Sequence, residues 1–94
     1  MAQLEVDLVS ADGRVWSGPA TMVCAPTVDG EIGILVGHQP ILAVLRAGEV
    51  RVTPLEGPVM RGTVTGGYLS VDDDHVTVVA DDAVVIVGPG TPTR

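Results

Sequence analysis

The sequence predicts an all-β domain, an antiparallel sandwich or closed barrel of about eight to ten short strands. Three observations point there. Gln3 to Val9 alternates, with Leu4, Val6 and Leu8 on one face and Gln3, Glu5 and Asp7 on the other, the period-2 pattern of a half-buried strand. Shorter runs of the same kind recur at Glu49 to Thr53 and Val76 to Ala80, with turn residues between them. The apolar content is mostly valine, with no phenylalanine and one tryptophan, beside 12 glycines and 7 prolines. That mixture favours strands and turns over helices.

Taken in order, the first strand ends in Ser10-Ala11-Asp12-Gly13, where Asp12-Gly13 suits a tight reversal. Arg14 to Ser17 reads as a short second strand closed by Gly18-Pro19, with Trp16 as a packing anchor. Thr21 to Ala25 reads as a third strand carrying Cys24, expected to be a buried structural thiol because no histidine, lysine or second cysteine lies near it. Pro26 to Gly30 turns the chain into the stretch Gly30 to Leu45, around which the rest is organised. There Gly33 is expected to mark a bulge or tight bend. Pro40 biases Gln39 to extended geometry, so His38-Gln39 should sit in a defined corner between strands. A shaped loop presenting Glu31 and His38 to a partner is the functional reading of this stretch; a plain connection between strands is the alternative.

Arg46-Ala47-Gly48 turns into a hairpin in which Val50 and Val52 match Met60 and Val64 across Pro54 to Pro58. Its other face carries Glu49, Arg51, Thr53, Arg61 and Thr63, and a register pairing Glu49 with Arg61 is electrostatically better than one placing Arg51 opposite Arg61. Gly66-Gly67 leads into Tyr68 to Val71, and Asp72-Asp73-Asp74 then reads as an acidic hairpin turn rather than a calcium loop, whose ligands are spaced apart. His75 reads as a solvated residue at the start of the strand to Ala80. Ala83 to Val87 is a last strand, closing a domain of residues 1–87, and residues 88–94 form a tail expected to be disordered.

Composition excludes several functions. The 94 residues make one small domain, 46% hydrophobic, with mean hydropathy +0.41, so a core is available. A net charge of -7 opposes nucleic-acid binding, which needs clustered Lys and Arg. The absence of lysine removes Schiff-base chemistry and a P-loop. One cysteine cannot form an internal disulfide. No signal peptide or apolar run of about 20 residues is present, which points to a soluble, cytosolic protein. No nucleophile is spaced to join His38 or His75, so no catalytic residues, metal or cofactor are expected.

Several blocks then occur in a telling order. These are Leu4-Glu5-Val6-Asp7-Leu8-Val9-Ser10, Trp16-Ser17-Gly18, Gly30-Glu31-Ile32-Gly33-Ile34-Leu35, Gly37-His38-Gln39-Pro40-Ile41-Leu42, Gly66-Gly67-Tyr68-Leu69-Ser70-Val71 and Val76-Thr77-Val78-Val79-Ala80-Asp81. From about Leu4 to Ala83 the chain resembles the amino-terminal domain of the epsilon subunit of the rotary F-type ATP synthase, and Trp16-Ser17-Gly18 is most similar to actinobacterial forms. The combination of the Gly30 to Ile34 block with Gly37 to Ile41 carries the resemblance. It implies a flattened ten-stranded β-sandwich at the foot of the central stalk, coupling the gamma subunit to the polar loops of the membrane c-ring. It further implies that Glu31 faces the ring loops, that His38 lies near gamma, and that Ile32, Gln39 and Ser10 belong to these partner surfaces. The remaining expectations are a non-catalytic role within F1, no direct membrane insertion, and a peripheral position at the cytoplasmic face of the bacterial plasma membrane. Two departures stand out. Val36 replaces a common proline, and the family's carboxy-terminal helical hairpin is missing, the chain running instead into Gly88-Pro89-Gly90. The polypeptide is therefore expected to bind no nucleotide and to impose no hairpin-type inhibition. A free-standing ligand-binding sandwich, for carbohydrate as one example, is the alternative, disfavoured by an aromatic content of 2% where exposed aromatics would be wanted for stacking.

Overall fold

The computed structural model describes residues 3–11 and 13–87, and these form nine strands with no helix. They are β1 Leu4–Ser10, β2 Gly13–Thr27, β3 Gly30–Leu35, β4 Ile41–Leu45, β5 Gly48–Pro54, β6 Met60–Val64, β7 Gly67–Asp72, β8 His75–Ala80 and β9 Ala83–Val87. The expected Asp12 turn position and the expected tail 88–94 lie outside the described residues.

All nine strands share one hydrogen-bonded network, which folds over on itself because β2 is long enough to serve two layers. Its first half, Gly13 to Ala20, pairs with β1. Its second half pairs with β3 on one edge and β5 on the other. One layer therefore runs β1-β8-β7-β4 and the other β3-β2-β5-β6-β9, every pairing being antiparallel except β1 with β8. The smallest extent of the molecule is 23 Å, consistent with two sheets about 10 Å apart plus their outward side chains.

Alternation builds the core. Leu4, Val6 and Leu8 of β1, Val50 and Val52 of β5, Leu69 and Val71 of β7, and Val76 and Val78 of β8 are all buried, together with Ile34, Met60 and Val64. Each such side chain contributes roughly 1.5–3 kcal/mol of burial. Trp16 packs half-buried against this core, with its ring over Gly18.

Four expectations are corrected. Gly18-Pro19 does not end a strand: β2 runs through it, because Pro19 sits where β2 changes partners, and the register towards β5 slips between Ala20 and Met22. The second and third predicted strands are therefore one. Gly33 marks no bulge, since it holds regular register opposite Cys24; the other bulge lies at Leu8/Val9. Cys24 is half-buried rather than buried, because alternation turns Val23 and Ala25 inward and the thiol to the outer face. In the β5–β6 hairpin Arg51 stands opposite Arg61 and Glu49 opposite Thr63. The Glu49–Arg61 register differs by two residues and would keep Val50, Val52, Met60 and Val64 on the core face as well; the observed one leaves Pro58, which has no N–H for a ladder, in the loop instead of opposite Val52. His75 is exposed at the start of β8, as expected, and pairs there with Asp7 at 2.8 Å.

Candidate functional site

The corner after β3 is built by glycine and by a neighbouring acidic turn. Gly37 adopts φ +88, a conformation that favours glycine, and the His38 N–H donates to the Leu35 carbonyl at 3.1 Å. The Gly37 N–H donates to Asp74 Oδ1 at 2.8 Å, which ties the corner to the β7–β8 turn. That turn has Asp73 and Asp74 at φ 51 and 60, the two-residue geometry that suits the right-handed twist of a hairpin. His38 is half-buried, and its Nδ1 lies 2.7 Å from the Gln39 carbonyl, so the ring donates there. An open cleft of about 650 Å³ is lined by Gly37 to Pro40 and by Asp72 to Asp74. Its walls offer carboxylates and one imidazole but no nucleophile, so the arrangement can bind and orient but holds no dyad for bond chemistry.

Glu31 lies at the other end of β3. Its exposed carboxylate accepts from Arg51 Nη2 at 3.3 Å across the sheet, while Ile32 turns inward against the core. Between Glu31 and Leu35 the strand rises about 13 Å, so Glu31 and His38 do not share a pocket. Ser10 ends β1, opposite Gly13, whereas the start of β1 is held to the acidic turn by the Glu5 N–H donating to the Asp74 carbonyl at 2.8 Å. About 17 Å of strand therefore separates Ser10 from the His38 corner. The structure brings His38 and Gln39 together, and Glu31 with Ile32, but leaves these pairs and Ser10 at three separate places.

Sequence reasoning missed two features of this surface. Asp74 is the anchor of the His38 corner, a contact spanning 37 positions that no local pattern signals. The outer face of the β4-β7-β8-β1 layer also carries an apolar row: Val44 is opposite Tyr68, Tyr68 opposite Val79, and Val79 beside Val9. Tyr68 is 55% exposed and Leu42, one pair along, is 74% exposed. The alternation that buries Leu69 and Val78 was legible; the apolar character of the opposite face was the available signal.

The sequence matches, over residues 3–86, the family described as ATP synthase, Delta/Epsilon chain, beta-sandwich domain. It is 49% identical over 83 residues to the ATP synthase epsilon chain of Micrococcus luteus, covering 88% of this chain and 91% of that one. Among solved structures, a chain of the Euglena gracilis mitochondrial ATP synthase (OSCP/F1/c-ring) superposes with TM-score 0.84 at 26% identity, over 90% of this chain. The match spans 54% of the Euglena chain, about half its length. A chain of the Tetrahymena thermophila mitochondrial ATP synthase central stalk and c-ring has the same fold, with TM-score 0.71 at 20% identity, over 86% of this chain and 65% of that one.

Proposed function

Because the chain belongs to the β-sandwich family of ATP synthase delta and epsilon chains, non-catalytic subunits of the central stalk, we propose that it couples a gamma subunit to the polar loops of the c-ring. The observation that carries this reading is the family match over residues 3–86, nearly the whole described chain. The surface supports it. Ser10, Glu31-Ile32 and His38-Gln39 stand at separate places on a rigid two-layer body, which suits contact with two partners better than capture of one ligand. In this reading Glu31 meets the ring loops and His38 meets gamma, with Ile32, Gln39 and Ser10 on one or other of these two surfaces. The subunit performs no bond chemistry; it holds gamma and ring in register so that rotation passes between them as torque. A close-packed sandwich deforms little under such load. It works peripherally, with the rest of F1, at the cytoplasmic face of the bacterial plasma membrane.

Binding of the chain to F1 depleted of its epsilon chain, and to purified c-ring in nanodiscs, tests this. Saturable binding to both is expected. Glu31→Lys is expected to weaken ring binding by up to about fivefold at low salt and less at moderate salt, as for a rim charge. An affinity unchanged at both salts removes Glu31 from the interface, and failure of the parent chain to bind either partner overturns the coupling role.

A further inference from the structure

We infer that the outer face of the β5–β6 hairpin holds a site for one carboxylate, an acidic side chain of a partner protein, with Arg61 as its cation. The register places Arg51 and Arg61 directly opposite one another, in a chain with 5 basic residues and a net charge of -7. Directly opposed like charges destabilise a sheet unless something neutralises them. Arg51 is neutralised: Glu31 Oε2 lies 3.3 Å from its Nη2 and Glu49 Oε1 lies 3.9 Å from its Nε. Arg14 faces Asp7 at 3.7 Å, and Arg46 donates to the Thr27 carbonyl at 3.1 Å. Arg61 differs. Among the described residues it has no ion pair or hydrogen bond, and its Nε is buried without an acceptor. A buried unpaired donor is costly, and a small movement of the Arg61 side chain that brings its guanidinium to an acceptor in the adjoining cleft relieves the cost.

The space beside it sets the size of that acceptor. Arg61 lines a cleft of about 150 Å³ with Arg51, Thr53, Met22, Cys24 and Val59. Small-molecule sites commonly measure about 300–1,000 Å³, so this one takes a group of side-chain size. A planar carboxylate matches the fork of a guanidinium, and the Met22 and Val59 walls limit water around the pair. Glu31 and Glu49, both held on Arg51, oppose a multiply charged phosphate at the same place. A single carboxylate carried in by a larger protein surface meets both conditions. This site lies apart from His38 and Ser10, and its existence does not depend on the coupling role.

Nuclear magnetic resonance of the isotope-labelled chain reads it directly, with a capped triglutamate peptide as the probe. The Arg61 Nε–H signal and the Met22, Cys24 and Val59 amides are expected to shift saturably, with a midpoint on the order of millimolar for a single charge-assisted pair. Arg61→Gln is expected to abolish the shifts. Arg61→Lys, which keeps the charge but loses the fork, is expected to weaken them about tenfold. Arg14→Gln is expected to leave them unchanged. The site is overturned if the peptide produces no saturable shift, if Arg61→Lys binds like the parent, or if a capped trilysine peptide does the same. Equal shifts with inorganic phosphate overturn the carboxylate assignment, and shifts that follow protein concentration alone assign the cleft to a second copy of the chain instead.

Discussion

Asp7 collects three partners at the molecular surface. Its Oδ2 accepts from His75 Nε2 at 2.8 Å, and Arg14 stands 3.7 Å from Oδ1. The His75 hydrogen bond first, then that of Ser17, with the charge of Arg14 adding to them, hold this carboxyl below the usual carboxylate range. A carboxyl lowered in the native state binds protons less readily than in the unfolded chain, so its stabilisation is complete above the ordinary carboxylate value and is lost as pH falls through the lowered one. Denaturant titrations across the acid range should therefore show a steeper loss for the parent chain than for Asp7→Asn, which has no such proton to take up. Gly67 makes a different residue-scale demand. It adopts φ +136, and a Cβ there would run into the carbonyl oxygen of Val79. Gly67→Ala combines backbone strain with that collision and is expected to cost about 2–4 kcal/mol in a urea midpoint measurement. Gly66-Gly67 was readable as punctuation between strands, but which glycine was indispensable depended on how closely β8 approaches, and local sequence does not carry that distance.

Strands show the same division between pattern and partner. β1, β5, β7 and β8 were legible because each has one face on the core and one outside it, so alternation marked them without reference to neighbours. β2 was misread as two strands because its halves serve different layers, and Gly18-Pro19 mimics the end of an element. The β5–β6 register did not follow pairwise charge because a charge pair on an exposed face is worth only about 0.2–1 kcal/mol, and the two-residue shift that would bring Glu49 to Arg61 would also bring Pro58, which has no N–H to donate, opposite Val52. Gly33 gives the element-scale test. It lies in regular register opposite Cys24 and a Cβ there would meet nothing within 4 Å, so a larger residue fits. Gly33→Val should leave stability unchanged or raise it by up to about 1 kcal/mol, because valine suits an extended strand and loses less backbone freedom on folding. A thermal scan showing marked destabilisation would restore the bulge that the register denies.

At the scale of the whole molecule, the candidate site resists reading from sequence because it is not one place. The motif Gly30 to Pro40 named Glu31 and His38 within eight positions, yet β3 carries them to its opposite ends, and Ser10 lies on the far side of the His38 corner from Glu31. A standard protein interface covers about 800 Å² on each partner, roughly one-seventh of the 5380 Å² this chain exposes. Two such contacts fit on one small sandwich only if its outer faces are used as well as its loops. The apolar row Val44, Tyr68, Val79 and Val9 is the surface on the β4-β7-β8-β1 layer with the composition for this, and it runs to within one residue of Ser10. Tyr68 stands at its middle, flanked on both sides and exposed, the position and residue type in which binding energy concentrates. Tyr68→Glu should weaken binding to F1 depleted of its epsilon chain by about thirtyfold or more, while its urea midpoint stays close to the parent because the side chain faces outward. Leu55→Glu, equally an exposed apolar residue but on the loop between β5 and β6, should change neither. If Tyr68→Glu assembles as well as the parent, the apolar row is not a stalk contact, and the partner surface must be built from the loop positions alone.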